Sequence, residues 1–310
     1  MDRIDIDAIF DGVLKPIHAS LQSFTPQSEL MREVPEQITV CAHLLPTDCV
    51  LELGGSIGRN SCVINSILED KTKHLVIEPS VSESQRLALN RSNTKCGFHI
   101  VTSAVSNVPL FLKGWHTFEK PVPDSIKVNT VTYPELQSKY NMNFNVLVID
   151  NEGNFVKMMK AFDTILDNIR MVIIEHDFNS LDDLNFFKST MTNSGFNMTS
   201  QYLKTDKYGP GDNWVDGVIG DPTFVSVWKR NPKRVLFVGL VIWLIKLYMS
   251  LLRNLSRPLY RGTRRRHSTT VKRLTARHRR RVAYCHTRRR QRGVSLRHTR
   301  RRRSRPTGDG

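Results

Sequence analysis

The stretch that most constrains this chain is Val50-Leu51-Glu52-Leu53-Gly54-Gly55-Ser56-Ile57-Gly58-Arg59-Asn60. A short apolar run ends in an acid, and a glycine-rich turn then opens onto a helical pattern. That order predicts a buried parallel strand, a tight turn and the N-terminus of a helix. Gly54, Gly55 and Gly58 let the backbone approach a ligand closely and take dihedrals that a Cβ forbids. The free N–H groups of the following helix add a weakly positive floor. Glu52, at the strand's end, is placed to accept hydrogen bonds from that ligand. Many α/β turns use glycine only for close packing, so the turn gains meaning from the strands that come after it.

The next strand, His74 to Pro79, again ends in an acid. Glu78 falls 20 residues beyond Gly58, where nucleotide-binding α/β folds place an acid on the ribose hydroxyls. A helix over Ser82–Arg91 and a third strand over Phe98–Val105 come next. Residues 106–143 break the rhythm. Val108–Lys113 and Ser125–Val131 are expected to pair as a hairpin, with Trp115, His116 and Phe118 on the loop between. Such a connection is too long to be idle and predicts a cap on the substrate side. Phe144–Asp150 forms a fourth strand, helix 154–167 follows, and Met171–Glu175 forms a fifth. A helix over Leu181–Met191 and strands near Asn197–Leu203 and Pro222–Trp228 complete the domain.

Four strands therefore end in acids, Glu52, Glu78, Asp150 and Glu175, on one sheet edge. In open α/β sheets the carboxyl edge is where ligands bind. Helix-linked crossovers and a terminal antiparallel pair predict a Rossmann-like, seven-stranded, mostly parallel sheet over residues 48–230. Residues 1–47 precede it as an N-terminal helical segment of two helices, the first with an apolar face of Ile4, Ile6, Ile9, Phe10, Val13, Leu14 and Ile17 and the second over Leu30–Leu45.

Together these residues resemble a known family, the FkbM-type S-adenosylmethionine-dependent methyltransferases. Glu52-Leu-Gly54-Gly55-Ser56-Ile-Gly58 resembles the family's acid-x-Gly-Ala-Asn-x-Gly cofactor loop, with Gly55 and Ser56 where Ala-Asn is usual. Ile77-Glu78-Pro79, with Leu87 and Asn90 after it, resembles the ribose-binding acid and its trailing helix. Thr102-Ser103-Ala104-Val105 resembles the segment lining the adenine, and Val128–Thr132 before Leu136 resembles the strand and turn preceding the fourth core strand. Ile149-Asp150-Asn151-Glu152-Gly153 resembles the Asp-x-Glu-Gly signature, and Ile174-Glu175 the acid ending the next strand. The chain departs from the family at Val148, where Lys is frequent, and at Phe155, where an acid is frequent, positions expected to face the chemistry.

The resemblance implies a class I methyltransferase fold, S-adenosyl-L-methionine as cofactor, and O-methylation of a small-molecule or glycan hydroxyl. Methyl transfer from a sulfonium needs in-line placement and a base for the attacking hydroxyl. Asp150, Glu152, Glu175 and His176 are the candidates. Asp150 and Glu152 project from one turn and could hold a divalent cation or share a proton. Equally, Glu152 could cap the next helix while Asp150 positions the methionine amine. No metal is assigned. The competing class is an inactive, cofactor-binding membrane adaptor.

Charge divides the chain. From Arg253 onward there are 22 lysines and arginines and one acid, Asp309, whereas the first 252 residues hold 24 bases and 28 acids. The tail from residue 257 to 310 has too few apolar residues for a core and is expected to be disordered, able to meet nucleic acid or anionic lipid through phosphates. Between body and tail lies Val235–Leu252, 18 residues with one charge, Lys246, predicting a C-terminal apolar helix that spans a bilayer or lies in its interface. Bases flank it on both sides, so the positive-inside rule sets no orientation. The N-terminus lacks a signal-peptide pattern, which places the catalytic body of a membrane-associated protein on the cytoplasmic face. Five cysteines without a C-x-x-C pair suit a reducing compartment.

Overall fold

The computed structural model describes residues 5–22, 25–211 and 217–231. The apolar run 235–252 and the basic tail 257–310 lie outside the described residues. Among the described residues, no helix is long and apolar enough to cross a membrane.

The chain opens with α1 (Ile6–Ile9), which continues through a π-helical turn, Phe10–Leu14, into α2 (Lys15–Leu21). The second expected helix is shorter than Leu30–Leu45 and follows a separate short one. α3 (Gln27–Leu30) and α4 (Val34–His43) are separated by Glu33, whose left-handed backbone, φ 58°, ends one helix before the next begins. β1 (Val50–Leu53), α5 (Arg59–Ile67), β2 (His74–Ile77), α6 (Val81–Asn93) and β3 (His99–Val101) then keep the predicted order. The third strand is shorter than expected. Its predicted end forms a separate strand, β4 (Ala104–Val105).

Residues 106–143 make the predicted hairpin and more. β5 (Leu110–Lys113) pairs antiparallel on one side with β6 (His116–Phe118) and on the other with β7 (Ile126–Val128). β8 (Thr130–Val131) pairs parallel with β4, which ties this cap back to the end of β3. α7 (Tyr133–Tyr140) begins at a capping box, in which Thr132 Oγ1 accepts from the Glu135 N–H and Glu135 accepts from the Thr132 N–H at 2.8 Å. β9 (Val146–Ile149) and α8 (Phe155–Ala161) come next, the helix stopping well short of residue 167. Phe162, Ile165, Leu166 and Ile169 instead fold inward as a run of turns whose side chains join the core. β10 (Met171–Glu175), α9 (Leu181–Asn193), β11 (Phe196–Leu203) and β12 (Thr223–Arg230) close the domain.

Seven strands form one sheet in the order β11-β12-β10-β9-β1-β2-β3, with only β12 reversed. Period-two alternation sends the core strands' side chains to opposite faces. Leu51, Leu53, Leu75, Ile77, Leu147, Ile149, Val172 and Ile174 meet Tyr133, Leu136, Phe155, Val156 and Phe187 from α7, α8 and α9. Val50, Val146, Val148, Met171 and Ile173 meet Leu14, Val34, Ile38 and Val40 from the N-terminal helices, with Val63 and Ile64 from α5. Both faces are covered, which is why the strands read as continuous apolar runs. Val148 and Phe155 are both buried in these two layers, so neither faces the sheet edge as the family resemblance had suggested.

Candidate functional site

The candidate site lies where the chain turns away in two directions. β1 leads to β2 on one side, while β9, its other neighbour, leads to β10. The carboxyl ends of β1 and β9 part at this switch point, the usual ligand position of an open α/β sheet. The glycine turn is fastened there by its backbone. The Gly54 and Gly55 N–H groups both donate to Ile77 O at 3.0 Å, and Asp150 N donates to Leu53 O at 2.9 Å. Gly54 has φ +91°, and a Cβ on it would stand 1.6 Å from the carbonyl oxygen of Asp150. Only glycine permits this approach. Gly58 precedes α5 with φ +91°, and no N-cap side chain bonds the first turn of the helix.

Glu78 reaches the turn from β2. Its Oε2 accepts from Ser56 N at 2.7 Å and its Oε1 from Ser80 N at 2.7 Å. Burial pushes its carboxyl up to about 7, against the pull of those two N–H donors. Each carboxylate oxygen keeps a further lone pair, so a diol could still be accepted at its outer side. Ser103 and Ala104 follow β3 and are held by the backbone, Ser103 N to Val101 O at 2.9 Å and Ala104 N to Asn129 O at 2.8 Å. The structure thus brings Gly54, Gly55, Ser56, Gly58, Glu78, Ser103, Ala104 and Asp150 to one edge.

Two expected residues are not there. Glu52 is turned into the layer beneath α5, where its Oε2 lies 2.9 Å from His74 Nε2 and both side chains are buried. Strand alternation explains this, since Leu51 and Leu53 take the opposite face. His176 is also buried, with Nδ1 2.7 Å from Asp221 Oδ2 and Nε2 2.7 Å from Ser226 Oγ. Trp228 Nε1 donates to the same Ser226 oxygen at 2.9 Å. Both ring nitrogens are occupied, so His176 fastens β10 to β12 and takes no proton from an acceptor. Burial lowers its pKa. Burial would raise Asp221, but the His176 hydrogen bond and charge hold it down at about 2.

The remaining acids converge. One oxygen each from Asp150, Glu175 and Asp177 lie within 4.8 Å of one another, as do those of Glu33, Glu36 and Asp150. Spacing of this kind suits shared protons or a bound cation. Burial, then the charge of Glu33, pushes Asp150 up to about 7. Burial and the charge of Asp150 raise Glu175 and Glu36 well above the ordinary range and take Asp177 to about 7. Glu33 is held in a two-point contact by Arg59, through Nε at 2.9 Å and Nη2. Glu33, Glu36, Arg59 and Asn60 were not anticipated. The one local signal is an acid, Glu36, inside the fully buried run Val34–Val40 of α4.

Glu152 takes a left-handed backbone, φ 57°, and its Oε2 lies 3.7 Å from Nδ1 of His116 on the cap strand β6. At the start of α8, Asn151 Oδ1 accepts from Phe155 N at 3.1 Å. Gly153, at φ +72°, passes so close to Asn179 that a Cβ would come within 2.3 Å of its side chain, and its N–H donates to Asp177 Oδ2 at 2.8 Å.

No protein-family model matches this chain, and no curated protein matches its sequence. Solved structures do match. The O-methyltransferase TomG from Streptomyces achromogenes, in complex with SAM, is 12% identical with a TM-score of 0.42, over 71% of this chain and 90% of that one. An O-methyltransferase from Bacillus cereus, in complex with SAH, is 12% identical with a TM-score of 0.39, over 72% and 96%. A precorrin-6y C5,15-methyltransferase from Geobacter metallireducens is 10% identical with a TM-score of 0.42, over 68% and 95%.

Proposed function

We propose that this chain is an S-adenosylmethionine-dependent methyltransferase of the FkbM type, acting on a hydroxyl of a small molecule or glycan. The observation that carries the reading is the glycine turn Gly54–Gly58 at the β1/β9 switch point, with Glu78 bonded to it and Asp150 packed against it. The glycines let the turn pack against Asp150, Val76 and Leu87, which sets the start of α5 at the sheet edge for the cofactor's amino-acid half, and Glu78, one strand over, suits its ribose. When bound, the cofactor supplies an electrophilic methyl on a sulfonium. The chain's own part is to orient the acceptor oxygen and take its proton. Asp150, with a pKa of about 7, is matched to proton uptake near neutrality, and Glu175 and Glu152 stand beside it. The cap of β5, β6 and β7, joined to the site by the His116–Glu152 contact, would select the acceptor.

Calorimetry of the full chain with S-adenosylmethionine tests the cofactor, and a tritiated-methyl transfer screen tests the reaction. Binding in the micromolar range and transfer that is lost in the Asp150→Ala/Glu152→Ala double variant support the reading. A folded protein that binds nothing at millimolar cofactor sinks it. The alternative, an inactive cofactor-binding membrane adaptor, predicts cofactor binding without methyl transfer, and the same transfer screen separates the two. Membrane association through residues 235–252, with the body on the cytoplasmic face, is proposed from the sequence pattern alone, with nucleic acid as the tail's other candidate partner.

A further inference from the structure

The described residues hold four cysteines, all of them free thiols. Two of them meet. Cys62 lies on α5, one turn past Gly58, and its N–H donates to Gly58 O at 3.0 Å. Cys96 follows α6, where Lys95 takes a left-handed backbone, φ 55°, and Cys96 N donates back to Arg91 O at 2.9 Å. This helix-ending turn carries Cys96 to α5. Both sulfurs reach one hydroxyl, Thr94 Oγ1 lying 3.1 Å from Cys96 Sγ and 3.5 Å from Cys62 Sγ. The two thiols also hydrogen-bond each other. A buried thiol is ordinarily an inert apolar filler, and Cys41 and Cys49 behave so, burial pushing the first up to about 12 and raising the second. Cys96 differs. Its hydrogen bond with Cys62 draws it down to about 7 against partial burial, with Thr94 and the charges of Lys71 and Arg91 acting in the same direction. The same bond raises Cys62, which is 2% exposed, whereas Cys96 is half-buried.

We propose that Cys62 and Cys96 are a reversible disulfide site, in which Cys96 meets a hydroperoxide and Cys62 closes the bond. The Cys96 thiolate attacks one peroxide oxygen and the O–O bond breaks. Sulfur is oxidised to a sulfenic acid, and the departing oxygen takes a proton, as water in the case of hydrogen peroxide. The Cys62 sulfur then attacks the sulfenic sulfur. An S–S bond forms, the S–O bond breaks, and hydroxide leaves as water with the Cys62 proton. Two thiols and one hydrogen peroxide thus give one disulfide and two waters. A reactive thiolate beside a resolving thiol is the arrangement that ends at a disulfide and not at the irreversible acids. A dithiol restores both thiols, so the bond is a transient one in a reducing compartment. Its position gives it reach. The bond would join α5 just after the glycine turn to the end of α6, closing a loop of chain that contains β2 and Glu78. The inference stands apart from the cofactor reading, since it needs no ligand.

The test treats the reduced full chain with hydrogen peroxide, blocks the remaining thiols with iodoacetamide and maps the unreduced peptides by mass spectrometry. The expected result is the Cys62 peptide joined to the Cys96 peptide, two hydrogens lighter than the pair, and parted again by dithiothreitol. Cys41 and Cys49 should carry the alkyl group instead. Without peroxide, Cys96 should alkylate about 10-fold faster than Cys41 or Cys49. In Cys62→Ser the same treatment should leave Cys96 as a sulfenic acid that dimedone captures, and in Cys96→Ser it should leave Cys62 reduced. The wild-type map decides the matter even if a variant fails to fold. Both peptides staying alkylated after peroxide overturns the inference, as does Cys96 reaching sulfinic acid with no crosslink. Pairing of either sulfur with Cys41, Cys49 or Cys285 overturns it too.

Discussion

Glu78, Asp150 and Asp177 each hold a proton to about pH 7 in the folded chain, and Glu36 and Glu175 beyond the ordinary carboxylate range. In the unfolded chain such groups release it near pH 4. Between those values the folded state binds more protons, so stability is greatest below about pH 4.5 for these groups and falls as pH rises to about 7. For Glu78 alone the change is on the order of 3 kcal/mol. Urea unfolding at pH 5 and pH 8 should show the loss, and Glu78→Gln should reduce it by the share that Glu78 contributes. A profile that rises over this window would refute the assignment. The same acids show what a sequence can reveal. Glu78 and Asp150 were legible because they end apolar runs next to glycine turns. Glu52 looked identical, but strand alternation turned it toward His74. Glu36 and Arg59 gave almost no local signal, because their meeting depends on how the N-terminal helices pack against α5.

At the scale of elements, the parallel strands announced themselves, since burial on both faces leaves little but aliphatic residues. Edge and cap strands were harder. β4 and β8 are two residues each and pair across an intervening small sheet, a contact no local periodicity encodes. α8 ended early because the apolar residues after it pack as turns, which a helical spacing imitates. α7 was not predicted, although Thr132-Tyr133-Pro134-Glu135 carries the Ser/Thr-x-x-Glu cap and a proline in the first turn. This cap makes a direct prediction. Thr132→Ala removes the acceptor for Glu135 N and should cost about 1 kcal/mol, read as a lower thermal midpoint with cofactor affinity unchanged. Because α7 leads out of the cap strands, a larger loss confined to acceptor turnover would mean that the helix also sets the cap's position.

At the scale of the whole molecule, a mildly acidic body precedes an apolar run and a basic tail. Burying the run's apolar surface at about 25 cal/mol per Å² outweighs the roughly 1 kcal/mol each base adds at an anionic leaflet. Deleting 257–310 should therefore leave most protein in the membrane fraction, with less dependence on anionic lipid. Deleting 235–252 should release it. If deleting the tail alone releases it, attachment is electrostatic. The reversed strand β12 gives this arrangement a direction. It runs from Thr223 near the end of β10 to Arg230 near its beginning, where Arg230 N donates to Arg170 O at 2.8 Å. The described chain thus departs at the foot of the sheet, with the acid-lined mouth at the other end. Had β12 run parallel to its neighbours, Arg230 would have stood beside the acids instead, at the edge where the glycine turn and Glu78 meet.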